Sequence, residues 1–120
     1  YRIVFACDEI AEVLDKTGLS KQQKDEILKI ESELSIIARQ GRAFGIHLVL
    51  ATQRPDAAIL NGQIRNNIDT RICGRADNVL SQIILDNTDA SDKIAKSSQG
   101  WFLTNSGKIF QAYWFDENIL

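Results

Sequence analysis

The sequence predicts an α/β fold, on three observations. Residues 1–7 (YRIVFAC) and 46–51 (IHLVLA) are short, nearly continuous apolar runs. Such runs suit strands buried on both faces of a parallel sheet. Between them, Ile27, Ile30, Leu34 and Ile37 recur at helical spacing and form one apolar stripe. Each apolar run also stops at a polar tip, Asp8-Glu9 in the first and Thr52-Gln53-Arg54-Pro55 in the second. In open α/β sheets, ligands sit at the carboxyl ends of the strands, where both tips fall.

The remaining elements follow in order. Residues 10–16 read as a short helix broken at Gly18. Ser20 and Gln23 have the spacing of a capping box and open the long striped helix. Arg39 and Arg42 lie near its end, where cations suit the helix dipole. Gly41 and Gly45 bracket the turn into the second strand and permit positive φ or close backbone approach. Residues 55–62 read as a loop with one helical turn, and the polar stretch 63–67 as irregular. Residues 69–73 (DTRIC) read as a third strand. Asp77 is placed to cap a helix over residues 78–85, with a shorter helix at 89–94. Residues 100–104 and 108–115 form a hairpin about a turn at Asn105-Ser106-Gly107. Its aromatic residues, Trp101, Phe102, Tyr113, Trp114 and Phe115, are expected to pack in a core; a stacking platform for bases is the other reading.

Composition narrows the classes. At 120 residues and 44% hydrophobic content the chain suits one modest domain, burying about two thirds of its surface. It contains no methionine, so an excised piece of a longer protein is expected. No run approaches membrane-spanning length, so any membrane anchor is expected outside this segment. Cys7 and Cys73 fall in predicted strands and read as small buried hydrophobes in a reducing cytoplasm. His47 is the only histidine, which argues against a zinc site. The net charge of −2 argues against a generic nucleic-acid-coating protein. The charge is unevenly spread, however. Six of the seven arginines lie between Arg39 and Arg75 beside only Asp56 and Asp69, so that stretch nets +4. Arginine is suited to bidentate phosphate recognition.

An apolar strand ending in Asp-Glu meets the needs of nucleotide hydrolysis. Asp8 can hold a water in a Mg²⁺ shell while Glu9 orients and deprotonates the attacking water. Gln53, at the tip of the neighbouring strand, can touch the γ-phosphate or that water and report its loss. The structural alternative for Asp8-Glu9 is a helix N-cap with an acidic first turn.

Three segments narrow the reading further: IVFACDEIAEVL, then ARQGRAFGIHLVLATQRPDAAILNGQIRNNIDTRI, then LSQIILDN. Together they resemble the motor domain of the FtsK/SpoIIIE family of DNA translocases, most closely over residues 41–71. The resemblance implies part of a RecA-like P-loop NTPase core, with a mostly parallel sheet flanked by helices and a C-terminal β-hairpin. Residues 1–120 would be the C-terminal portion of that motor domain, from the Walker B strand onward. It implies an ATP- and Mg²⁺-dependent motor that assembles as a ring, usually a hexamer, and moves double-stranded DNA through its centre. Asp8 then resembles the Walker B aspartate, Glu9 the catalytic base and Gln53 the phosphate sensor. Arg42 resembles the arginine finger that reaches a neighbouring subunit's site, and is expected to be at least partly exposed near the carboxyl edge of the sheet. Arg54 and Arg65 fall where the family places DNA-touching pore-loop residues, and both are expected to be well exposed. The run Asn61-Gly62-Gln63-Ile64-Arg65-Asn66-Asn67 looks like the coupling ATPases of conjugative elements. A cytoplasmic domain of a membrane-tethered bacterial protein is implied.

The chain departs from the pattern in places. It contains no GxxxxGK[ST], so the phosphate cradle is not among these residues. Asp69 replaces the usual proline after Asn-Ile, and Ser98-Gln99-Gly100-Trp101 stands where the family has Gly-Asp before an aromatic strand. The competing function is a degenerate, protein-docking ATPase-like domain of a type VII secretion motor.

Overall fold

The structure, a computed structural model, describes residues 1–53, 56 and 60–119. Composition indicated one modest domain; the chain divides into two compact units, Tyr1–Asp69 and Thr70–Leu120.

The first unit is built on two parallel strands, β1 (Ile3–Cys7) and β2 (Ile46–Leu50), paired in register from Ile3 opposite Ile46 to Cys7 opposite Leu50. The connection between them carries α1 (Ile10–Leu14) and α2 (Lys21–Gln40). The Ser20 hydroxyl accepts from Gln23 N–H while the Gln23 side chain returns to Ser20 N–H, so the capping box forms as its spacing predicts. A 3-10 turn (Gly41–Phe44) leads into β2. Gly45 has φ +73°, and a Cβ there would lie 2.8 Å from the Tyr1 carbonyl oxygen. Its own carbonyl accepts from Ile3 N–H at 2.8 Å, so the entry to β2 demands glycine for conformation and for closeness.

The core of this unit gathers Ile10, Leu14, Leu34, Leu60 and Ile64, with Cys7, Ile27, Leu48, Leu50 and Ile68 packed around them. The buried row on α2 includes Glu31 and Leu34, whereas Ile30 is exposed. Residues 30 and 31 both neighbour Ile27 on the helix surface, and the core lies on the side of Glu31, Leu34 and Ser35. Glu31 is accommodated because Lys16 carries its ammonium to the buried carboxylate. Residues 63–67, expected to be irregular, belong largely to α3 (Gly62–Asn66). The signal is Asn61, whose side chain accepts from Ile64 N–H at 3.0 Å and caps the helix. Ile64 is then delivered fully buried into the core.

The strands differ from expectation in one respect. They were expected to be buried on both faces, yet Ile3, Val4, Phe5 and Val49 are all about half exposed or more. On β2, exposure alternates, with Leu48 and Leu50 turned to the core. Among the described residues, apolar packing reaches only one face of the pair.

The second unit is a three-stranded antiparallel sheet, β3 (Ile72–Cys73), β4 (Trp101–Thr104) and β5 (Ile109–Gln111), in that order. The hairpin forms about Asn105-Ser106-Gly107, with Gly107 at φ +86°. The third strand is shorter than residues 69–73 and joins the hairpin sheet. Arg71 extends that edge by a different route. Its N–H donates to the Asn105 side chain at 3.1 Å, and its carbonyl accepts from Asn105 N–H at 2.9 Å. Helices α4 (Asn78–Leu85) and α5 (Asp89–Lys93) complete the unit, and the Asp77 side chain caps α4 by accepting from Leu80 N–H. The core is Cys73, Leu85, Ala90, Ile94 and Leu103. Both cysteines are unpaired thiols, and burial pushes the Cys73 thiol above its ordinary range. That agrees with a buried hydrophobe rather than a reactive group.

The aromatic residues were expected in this core, and they are not there. Phe102 stacks on Phe110 with ring centroids 5.6 Å apart. Tyr113, Trp114 and Phe115 are exposed. They follow the last ladder residue of β5, so the sheet no longer aligns them with the core face.

One buried hydroxyl ties this unit's helical corner. Ser81 is fully buried; its hydroxyl donates to the Asn87 carbonyl at 2.7 Å and accepts from Ala90 N–H at 3.1 Å. Just before these partners, Asp86 turns through φ +60°. Removing the hydroxyl leaves both backbone groups without it, at a cost of about 1–3 kcal/mol. Ser81→Ala should therefore lower the stability of the second unit by that amount. Both tryptophans, Trp101 and Trp114, lie in this unit. Urea unfolding followed by tryptophan fluorescence reads the change.

Candidate active site

Parallel pairing brings the two polar tips to the same edge. At the ends of the strands, Ala51 N–H donates to the Cys7 carbonyl at 2.9 Å and Ile10 N–H donates to the Ala51 carbonyl at 3.0 Å. The Ala51 peptide is thus held by residues on either side of Asp8-Glu9. Glu9 stands at the N-cap position of α1 but makes no side-chain cap bond. Its carboxylate turns instead to β2: Oε1 accepts from the Thr52 hydroxyl, and Oε2 accepts from Gln53 N–H at 3.1 Å. The capping alternative for Glu9 therefore does not describe this side chain. Asp8, beside it, is exposed, as is Gln53, while Glu9 and Thr52 are half-buried.

The arrangement places an exposed carboxylate, a second carboxylate fixed at both oxygens, and an exposed amide along one strand edge. That donor set fits a hydrated Mg²⁺ with nucleotide phosphates, since Mg²⁺ keeps several waters and takes one or two carboxylates. No group of three or more metal-ligating side chains occurs among the described residues.

The other candidates lie elsewhere. Arg42 is in the 3-10 turn that precedes β2, at the amino end of the strand. It was expected near the carboxyl edge; the length of β2 separates the two, roughly 15 Å at the ordinary strand rise. Chain order dictates this, because Arg42 comes before the strand and Gln53 after it. The guanidinium is 89% exposed and lies 3.8 Å from Asp69, itself 86% exposed. An ion pair so open to water contributes little. Asp69 is the residue that departs from the family's proline, and here it faces the candidate finger. Arg65 was expected to be well exposed on a loop, but it is half-buried on α3. The cap at Asn61 and the burial of Ile64 draw that segment into the core. Arg54 lies outside the described residues. Arg71, counted in the basic stretch, forms an ion pair with Asp86 at 3.1 Å with its side chain largely buried, so it serves the second unit's own packing.

Thr52 is the site residue that the motif reading passed over. Its signal was present: it continues the parity of Leu48 and Leu50 on β2, and its hydroxyl stands one step before the candidate sensor.

The chain matches no protein-family model. It is similar to curated DNA translocases FtsK: 31% identical over 98% of its length to FtsK 2 of Ralstonia nicotianae, and 40% identical over 71% of its length to FtsK of Chlamydia pneumoniae. It spans only 14% and 10% of those two proteins. Among solved structures, the pCW3 conjugation coupling protein TcpA, in a monomer form with ATPγS, superposes with a TM-score of 0.88. That match is 42% identical over 98% of this chain and 34% of the other. The cytoplasmic domain of the type VII secretion ATPase EccC of Thermomonospora curvata, at 23% identity and a TM-score of 0.61, shares the fold. By sequence and by backbone, this chain is a segment belonging to the FtsK/SpoIIIE family, with its higher identity to the conjugative coupling type.

Proposed function

We propose that this chain is part of an ATP-driven translocase of double-stranded DNA, serving chromosome segregation or conjugative transfer, and that it supplies the hydrolytic half of the motor. The observation that carries the reading is the Glu9 carboxylate bonded to the tip of β2 at the carboxyl edge of a parallel pair. Residues 1–120 are the portion from the Walker B strand onward. Asp8 would hold the Mg²⁺ through a bound water. Glu9 takes the proton of the attacking water, and Gln53 contacts the γ-phosphate. When bound, the ion offsets the charge that develops on the phosphates. Arg42 acts on the site of a neighbouring subunit in a ring, a hexamer in this reading. Its guanidinium is 89% exposed, as action on another subunit requires, although it lies before β2 and not at the carboxyl edge where that reading expected it. Arg54 and Arg65 are the candidate contacts to the DNA backbone, Arg65 from α3 and not from the exposed loop that the reading expected. No helix among the described residues is long and apolar enough to cross a membrane; in this reading the segment belongs to a cytoplasmic domain whose tether lies elsewhere in the protein.

The protein-docking alternative draws on the fold shared with the type VII secretion ATPase. A docking domain has no need of an Asp-Glu pair whose second carboxylate is fixed beside a glutamine sensor, and that geometry favours the motor.

Glu9→Gln in the full-length protein should lower the ATPase kcat by about 10²–10⁴-fold. ATP affinity should stay nearly unchanged, because the groups that hold the phosphates remain. Steady-state turnover and nucleotide binding together check it; near-normal hydrolysis removes Glu9 from the role of base.

Arg42→Ala should reduce turnover by roughly 10³–10⁵-fold. Mixing Arg42→Ala subunits with Glu9→Gln subunits should recover part of the activity, since each interface then can combine an intact base with an intact finger. No recovery in rings shown to contain both variants argues against action in trans.

Arg65→Gln in the assembled motor should weaken binding to all duplex sequences alike. The slope of log affinity against log salt should become shallower by about one counterion for each phosphate that Arg65 no longer neutralises. The 120-residue chain alone, with a net charge of −2, should bind DNA poorly. A salt-titrated binding assay that shows no change for Arg65→Gln favours the docking alternative.

A further inference from the structure

We infer that Thr52 is a positioning residue for Glu9, fixing the carboxylate plane of the base from the neighbouring strand. The inference rests on the reading of Glu9 as the base. Three features carry it. First, the two donors come from consecutive residues and reach different oxygens: the Thr52 hydroxyl meets Oε1, and Gln53 N–H meets Oε2 at 3.1 Å. The terminal torsion of a glutamate is broad and roughly two-fold, so a single bond leaves the carboxylate free to turn. Two donors on two oxygens set its plane.

Second, the donors are themselves fixed. Ala51, the residue before Thr52, is bonded on both sides to β1 and to the start of α1, at 2.9 and 3.0 Å. Threonine is β-branched and stiff at χ1, so its hydroxyl direction follows from its backbone. Third, Glu9 forgoes the cap bond its N-cap position offers, and Thr52, its partner, is half-buried. The base and the sensor Gln53 are thereby mechanically joined. A displacement of the Gln53 peptide moves a donor of the Glu9 carboxylate, so a change at the sensing tip is transmitted to the base without an intermediary.

The alternative is that Thr52 only ties the strand ends together. The two differ in what is lost. Thr52→Val keeps the shape and removes the hydroxyl, and it should be measured in the full-length protein as the ATP dependence of hydrolysis. We expect kcat to fall by about 10-fold or more, within the range that misplacement of a catalytic group produces, with KM for ATP changed less than about 2-fold. Thr52→Ser, which restores a donor, should recover most of kcat. Thr52→Ala replaces the valine variant if that one fails to fold, as judged by thermal unfolding and ATPγS binding. An unchanged kcat in a folded variant overturns the inference, as does a loss of kcat that serine fails to restore. If Glu9→Gln is inactive while Thr52→Val is normal, only the positioning role falls. If Glu9→Gln is itself near normal, the proposed function falls with it.

Discussion

The register of the β1–β2 ladder is the constraint on which the rest of the first unit depends. Cys7 lies opposite Leu50, so the chain leaves both strands at the same level and in the same direction. A slip of one residue would turn Leu48 and Leu50 away from the helices and reverse which tip residues meet. Antiparallel pairing would send the two tips to opposite ends. The Glu9 carboxylate reaches Thr52 and Gln53 only because the pairing is parallel and in this register. The core enforces it: Cys7, Leu48 and Leu50 must share a face with Ile10, Leu14 and Ile64.

The same ladder explains why the site is held on one side and open on the other. Thr52 continues the parity of the core-facing residues Leu48 and Leu50 and is half-buried, and its hydroxyl donates to Glu9. Asp8 and the Gln53 side chain remain exposed. A carboxylate fixed at both oxygens beside exposed polar groups is the preorganisation that the proposed roles of Glu9, Asp8 and Gln53 require. Arg42 obeys the same geometry in the opposite sense. Its place before β2 puts it a strand's length from that edge, and no rotamer change closes such a gap.

Of this, the sequence by itself determined the local elements and the tips. The α/β class, the Ser20 capping box, the Asp77 cap, the hairpin turn at Asn105-Ser106-Gly107 and the polar ends of the two apolar runs are local or short-range features, governed by backbone bonds and side-chain periodicity within a few residues. Tertiary structure decided what depends on partners distant in the chain. Glu31 is tolerated in the buried row because Lys16, fifteen positions earlier, supplies its counter-charge. Residues 62–66 form a helix because Asn61 caps it and Ile64 has a core to enter. β1 stays half exposed because an apolar run states a tendency to be buried, while burial itself needs a second layer. The aromatic residues past β5 are exposed for the same reason. Above all, the bond from Thr52 to Glu9 spans 43 positions. Composition and periodicity place each of those residues at the end of a strand; only the parallel register makes them neighbours.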